Sequence, residues 1–238
     1  MRKSVPRIVV VAMGISGWVW TSAAELPPPD LRALAQANNQ FALELYGQVK
    51  NKPGNVFLSP YSISTALAMT YAGAREDTAQ QMAHTLHFSL EGDTLHAAFA
   101  ALQQRMEAIQ KAGQVQLAVA NSLWPEKSHV FLQSYLDSAK TYYGVTITPL
   151  DFVNAADRAR QTINTWIEDR TRNKIKDMIS SLDPTTRMVL VNAIYFKGNW
   201  LLQFTKEATQ DQPFYLTSDK TVNAPLMAFR LKPGVAMP

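Results

Sequence analysis

Three histidines are the first side chains in this sequence that could do chemistry. His84 and His87 lie three residues apart on one predicted helix, and His96 lies near the start of the next. Imidazole is a common metal ligand, but a catalytic metal site needs three protein ligands and one open position. The neighbouring sequence supplies no convincing third ligand. We therefore interpret the three histidines as helix-surface residues and predict no metal site.

The sequence also lacks the other common signatures of catalysis. It contains no Gly-rich phosphate loop, no GxGxxG, no GxSxG and no HExxH motif. The absence of Cys excludes thiol nucleophiles, disulfides and Cys-ligated metals. The basic side chains of the predicted helices are interleaved with acids and amides, which is typical of solvated helix faces. The sequence therefore predicts neither an enzyme, nor a cofactor, nor a nucleic-acid partner.

Asn192 is the polar residue whose position calls for an explanation. It interrupts the nearly continuous apolar run from Met188 to Tyr195, which is typical of a strand covered on both faces. A buried amide without partners costs about 1–3 kcal/mol, so Asn192 must be hydrogen-bonded. It is either a satisfied structural amide or a hydrogen-bond latch within a sheet that must open.

The predicted elements are predominantly helices in the first half of the chain, and most of the strands are predicted in the second half. Apolar residues recur at spacings of three and four in helices that begin near Asp30, Ser59-Pro60, Arg75 and Asp93. The pattern changes to alternation after Gly113, and Asn55 to Leu58 is predicted as a short strand. Further helices are predicted over 131–143 and 154–172. This order indicates an α+β fold rather than alternating βαβ units.

The N-terminal residues have the pattern of a secretory signal peptide over residues 1–24. Arg2, Lys3 and Arg7 precede an apolar run of thirteen residues, and Ser22-Ala23-Ala24 supplies small residues for cleavage. The run is too short to span a membrane, although a retained anchor is the alternative. Cleavage would leave 20 of the 23 basic residues against 19 acids, which is nearly neutral. We expect a secreted protein, or a periplasmic one in a Gram-negative host, without membrane contact after cleavage.

Two long segments carry a family resemblance. The residues NVFLSPYSISTALAMTYAGA at 55–74 and VLVNAIYFKGNW at 189–200 closely resemble the serpin family. Between them, VQLAVANSLWPEK at 115–127 is similar to the second strand of the family's large sheet, and 154–172 resembles the helix that crosses it. The resemblance implies N-terminal helices packed on a large mixed sheet.

The resemblance also implies a function and a set of residues. Serpins offer a reactive loop as bait to a serine or cysteine protease, and the cleaved loop inserts into the large sheet and distorts the bound protease. Ser59 and Ser62 match the family's two helix-start serines, and Asn192 matches its central-strand asparagine. These three residues correspond to the shutter, the cluster that controls opening of the sheet. Trp200 matches the tryptophan of the breach, where insertion begins.

The sequence departs from the family near its C-terminus. Residues 25–238 correspond to about the first two thirds of the serpin domain, and residues 228–238 do not resemble its continuation. The expected later strands, the reactive loop and its scissile bond have no counterpart, so we expect this form not to inhibit by itself. The alternative is a non-inhibitory binding or structural fragment. The strand from Arg187 to Phe196, lacking its downstream neighbour, would then be an exposed edge prone to self-association.

Overall fold

The computed structural model describes residues 27–113, 115–200 and 202–228. The predicted signal peptide and the divergent tail therefore lie outside the described residues, apart from Ala228. Six helices and five strands follow one another along the described chain. They are α1 (Pro29–Val49), α2 (Pro60–Tyr71), α3 (Glu76–Thr85), α4 (Gly92–Lys111), β1 (Val115–Pro125), α5 (Gln133–Tyr143), β2 (Thr146–Ile147), α6 (Ala156–Arg170), β3 (Met188–Gly198), β4 (Thr205–Tyr215) and β5 (Thr221–Ala228).

The ends of two helices are set by local chemistry. At the start of α2, the Ser59 hydroxyl accepts a hydrogen bond from the Ser62 backbone N–H at 3.3 Å, and Pro60 occupies the first turn. At the end of α5, Gly144 adopts a left-handed conformation with φ of 60°. Because Gly144 terminates α5 directly after Tyr143, it fixes where the Tyr143 backbone carbonyl points.

The main sheet is mixed and has the order β2-β1-β3. Strand β1 is parallel to β2 and antiparallel to β3, and Asn121 lies directly opposite Asn192. Strands β4 and β5 form a separate antiparallel sheet.

Two core clusters cover the two faces of the main sheet. Leu123 and Leu190 belong to a cluster with α1, α2, α4 and α5, whereas their neighbours Trp124 and Val191 belong to a cluster beneath α6. Successive residues of a strand point to opposite faces, so the two clusters lie on opposite sides. By the same alternation, Asn121 and Asn192 face the four-helix side.

Two of three sequence predictions about these elements differ from the structure. Asn55 to Leu58 is not a strand, since no described strand lies beside it to pair with it. The run from Arg187 to Phe196 lies at the edge of the described sheet, as expected for a strand without its downstream neighbour, because only β1 pairs with it. His96 is not a surface residue. Its side chain is buried, because the first turn of α4 packs it beside Tyr143.

Candidate functional site

A chain of polar side chains joins helix α2 to both long strands of the main sheet. The Ser62 hydroxyl donates to the side-chain carbonyl of Asn192. The Asn192 amide donates in turn to Asn121 Oδ1 at 2.6 Å. Ser59 has a different role from Ser62. It contributes by capping α2 and so holding Ser62 at the helix start. The structure thus brings three of the predicted site residues, Ser59, Ser62 and Asn192, into one cluster.

The cluster continues beyond the residues that the sequence analysis named. Asn121 Nδ2 donates to the Tyr143 backbone carbonyl at 3.0 Å. The Tyr143 hydroxyl lies 2.7 Å from His96 Nδ1. Hydrogen bonds therefore connect α2 through β3 and β1 to the Tyr143 backbone carbonyl at the end of α5. The side-chain hydroxyl of the same tyrosine makes the connection to α4. We call the residues Ser62, Asn192, Asn121, Tyr143 and His96 the polar relay.

Two relay members could have been found from the sequence. Asn121 is separated by even numbers of residues from Leu117, Val119 and Leu123 in an alternating strand. Because such residues share one face of a strand, the sequence already places an amide on the inward face. His96 precedes Phe99 by three residues, which places the two on one helix face. The sequence carried no signal that would connect either residue to Tyr143, because that contact joins elements distant in the chain.

The relay is uncharged when His96 is neutral. Burial lowers the pKa of His96, although Asp93 opposes that shift. Burial also raises the pKa of the Tyr143 phenol, with Tyr135 and Tyr61 adding to the effect. Tyr143 therefore stays protonated at neutral pH, and the relay is held by hydrogen bonds between neutral groups rather than by ion pairs.

Trp200 lies apart from the relay. It follows the end of β3, and 65% of its surface is exposed. Its ring meets Phe204 edge-on, with centroids 5.4 Å apart. Gly198, Phe204 and Met227 line a cleft with it at the junction of the main sheet and the β4–β5 hairpin. The structure does not join this cleft to the Ser62–Asn192 contact.

The arrangement joins helix α2 to both long strands of the main sheet. Among residues 27–113, 115–200 and 202–228, no group of three or more His, Asp or Glu side chains is placed to hold a metal ion. Within the same ranges no helix is long and apolar enough to cross a membrane. What the site can do is tie α2 to β1 and β3, and release them when its hydrogen bonds break.

A model of the serpin (serine protease inhibitor) family matches residues 36–233. The chain belongs to the serpin family. It is 43% identical over 202 residues to leukocyte elastase inhibitor of Bos taurus, covering 83% of this chain and 52% of that protein. It is 44% identical over 193 residues to serpin B6 of Macaca fascicularis, covering 79% of this chain and 50% of that protein.

Solved serpin structures share the fold. Emu ovalbumin matches with a TM-score of 0.76 and 32% identity, covering 82% of this chain and 54% of that structure. Cleaved kallistatin, solved in complex with heparin, matches with a TM-score of 0.75 and 30% identity, covering 83% of this chain and 58% of that structure. These likenesses confirm the predicted α+β serpin fold.

The comparisons give the extent of the match and correct one expectation. The chain spans about half the length of the curated relatives it matches. The prediction of a secreted or periplasmic protein is wrong, because leukocyte elastase inhibitor and serpin B6 are intracellular serpins that lack signal peptides. An N-terminal basic and apolar pattern alone was therefore insufficient evidence for export.

Proposed function

We propose that this chain is the sheet-bearing part of a protease inhibitor that acts by loop insertion, with Ser59, Ser62 and Asn192 as its shutter. One observation carries the proposal: Ser62 of α2 is hydrogen-bonded to Asn192 of β3, whose amide in turn bonds Asn121 of β1. A sheet that must admit a new strand needs a contact that resists separation and can re-form. Hydrogen bonds between neutral side chains supply that, since each contributes only about 0.5–1.5 kcal/mol.

The position of β3 supports the same proposal. Its edge away from β1 has no partner among the described strands, so its backbone N–H and C=O groups are available to another strand. Asn192 lies in the middle of that strand. An inserted strand would therefore form next to the residue that the polar relay holds. Trp200, at the end of β3, is the proposed site at which insertion begins.

The target of the proposed inhibitor is a serine protease, with an elastase-type enzyme as the first candidate. The similar protein in Bos taurus is named leukocyte elastase inhibitor. The bait residues that determine specificity have no assigned counterpart here. A cysteine protease is the second target class that the family mechanism admits.

Trapping of a protease tests the proposal. The 238-residue chain, and a version extended with the remaining half of the serpin domain from its own reading frame, are incubated with elastase-type, trypsin-like, chymotrypsin-like and subtilisin-like enzymes. We expect an SDS-stable covalent band from the extended version and plain degradation of the 238-residue chain. Asn192→Ala in the extended version should shift the outcome from trapping toward cleavage. Degradation of both versions by every enzyme would contradict the proposal.

The second candidate function is a non-inhibitory binding or structural fragment. The exposed β4–β5 hairpin favours it, because Phe214, Tyr215 and Met227 leave apolar surface for contacts other than loop insertion. Sequencing the coding DNA beyond codon 238 separates the two cases. A frame that resumes with the missing strands and loop supports the inhibitor, whereas a stop codon supports the fragment.

A further inference from the structure

We propose that His96 is an acid-sensitive latch: when its ring gains a proton, the contact between α4 and α5 loosens and the Asn121–Asn192 contact of the sheet loosens with it. The closed state has the whole polar relay formed. The loosened state has the end of α5 separated from β1. The effect of this latch on loop insertion rests on the proposed shutter function. The coupling between His96 and the sheet depends on the fold alone.

Tyr143 is the residue that joins the two contacts. Its side chain reaches His96 on α4, with the hydroxyl 2.7 Å from Nδ1. Its backbone carbonyl accepts from Asn121 on β1 at 3.0 Å. Tyr143 is only 1% exposed, and Gly144 holds the backbone directly after it in a left-handed turn. A displacement of Tyr143 toward solvent therefore strains both hydrogen bonds at once.

His96 lies in surroundings that disfavour a charge. Its side chain is 6% exposed and has the rings of Tyr71, Tyr142 and Tyr143 around it, with centroids 5.7 to 6.3 Å away. A buried imidazolium must be compensated by a nearby acid or by separation of the elements that bury it.

The charged and titratable neighbours of His96 are few. On its own helix Asp93 favours the protonated ring, and the phenol of Tyr142 on α5 interacts with that same carboxylate. Helix α2 presents Tyr71, and α1 contributes Asp30 to the groove that Asp93 and Tyr142 line. Strand β1, from Val115 to Pro125, contains no acidic or basic residue. Asp93 therefore opposes the effect of burial, and burial has the larger effect.

The sign of the pH dependence follows from this balance. Burial lowers the pKa of His96 below its ordinary value of 6.5. The loosened state therefore binds more protons than the closed state, and acid favours loosening. The stabilisation is complete above the ordinary histidine pKa and is lost as the pH falls through it toward the lowered value. For one proton the opening equilibrium changes by at most about tenfold per pH unit.

Hydrogen–deuterium exchange of the 238-residue chain between about pH 7.5 and about pH 5.5 tests the latch, with rates corrected for intrinsic pH dependence. We expect protection of β1 near Asn121 and of β3 near Asn192 to fall severalfold on acidification. His96→Gln should abolish this pH response, since glutamine keeps hydrogen-bonding capacity without titrating. The matched control is His84→Gln, on the exposed face of α3, which should respond as the unsubstituted chain does.

A second measurement titrates the unsubstituted chain and therefore does not depend on folding of a His96 variant. Proton NMR follows the titration of the histidine ring of His96, assigned by comparison with the His84→Gln, His87→Gln and His129→Gln spectra. We expect His96 to titrate below the ordinary histidine range and its transition to coincide with the loss of protection in β1 and β3. An ordinary titration, or protection lost only within α4, would overturn the proposal.

The two proposals fail separately. If the extended protein traps no protease but the exchange response follows His96, the shutter function is wrong and the latch stands. If trapping occurs but acidification leaves β1 and β3 unchanged, the latch is wrong and the proposed function stands.

Discussion

The long strands of the two described sheets are similar in length but differ in what covers them. Strands β1 and β3 carry two core clusters, one on each face, and inward residues such as Leu123 are fully buried. The β4–β5 hairpin has apolar residues too, yet Phe214 is 49% exposed and Tyr215 is 69% exposed. Among the described residues, both buried clusters consist of the main sheet, the helices that cover it and the loops between them, and neither includes a residue of the hairpin.

The asparagines of the two sheets also differ in their hydrogen-bond partners. Asn121 and Asn192, opposite one another in the covered sheet, are bonded to each other and to α2 and α5. Asn223 of β5 is exposed to solvent and can exchange partners with water. An amide therefore acts as a specific connection in the first sheet and as ordinary surface in the second.

The largest expected contrast is between two phenylalanines. Phe99→Ala, in the covered region, removes a ring that is 2% exposed and should destabilise the chain by about 3–5 kcal/mol. Phe214→Ala, in the hairpin, should cost less than about 1 kcal/mol. Urea unfolding followed by circular dichroism measures both. Equal losses would show that the hairpin is as tightly packed as the main sheet.

A smaller contrast is expected between two asparagines. Asn192→Ala leaves Ser62 without its acceptor and Asn121 without its donor, which should cost about 1–3 kcal/mol. Asn223→Ala, on the exposed hairpin, is the control and should change the stability by less than about 0.5 kcal/mol. The same urea titration measures both variants. A loss for Asn192→Ala no greater than for Asn223→Ala would remove the structural basis of the proposed shutter.

The free edge of β3 predicts self-association, which the hairpin should not share. Phe196, which is 67% exposed near the end of that strand, is replaced in Phe196→Lys by a charge that discourages strand pairing. We expect its dissociation constant to rise by about tenfold, or about 1.4 kcal/mol, in sedimentation velocity. Phe214→Lys is the control. A chain that stays monomeric, or an equal effect of both substitutions, would contradict pairing through β3.

The smallest effect is expected for Trp200. Trp200→Ala removes one edge-on contact with Phe204 from a side chain that is mostly exposed, so the loss of stability should stay below about 1.5 kcal/mol. Trp124→Ala, at 3% exposure, should cost about 3–5 kcal/mol. Thermal or urea unfolding distinguishes them. A large loss for Trp200→Ala would mean that the cleft is part of the core.

Most of the elements could be predicted from the sequence, because their signals are local. The stripe around Leu95 and Phe99 predicts α4, and alternation from Val115 predicts β1. The short strand over Asn55 to Leu58 was predicted wrongly, since a strand also needs a neighbour and local composition does not report one. The apolar run of β3 indicated a covered strand, whereas its place in the sheet depends on which other strands lie beside it.

The candidate site was only partly predictable for the same reason. Ser59 could be recognised as a helix cap, and Asn192 as an amide that needs partners. Their connection through Ser62 and Asn121 joins residues 130 and 71 positions apart in the chain. Tyr143 resembled a core aromatic, and nothing in its own segment indicated that its hydroxyl and its carbonyl have separate partners.

The sequence by itself determined the family and the helices, because these depend on motifs and periodicities within short segments. It also predicted Ser59, Ser62 and Asn192 as a shutter, through the family resemblance. It did not determine that His96 is buried or that Asn121 faces Asn192. The tertiary structure decided those features, since burial and register arise only when distant segments pack together.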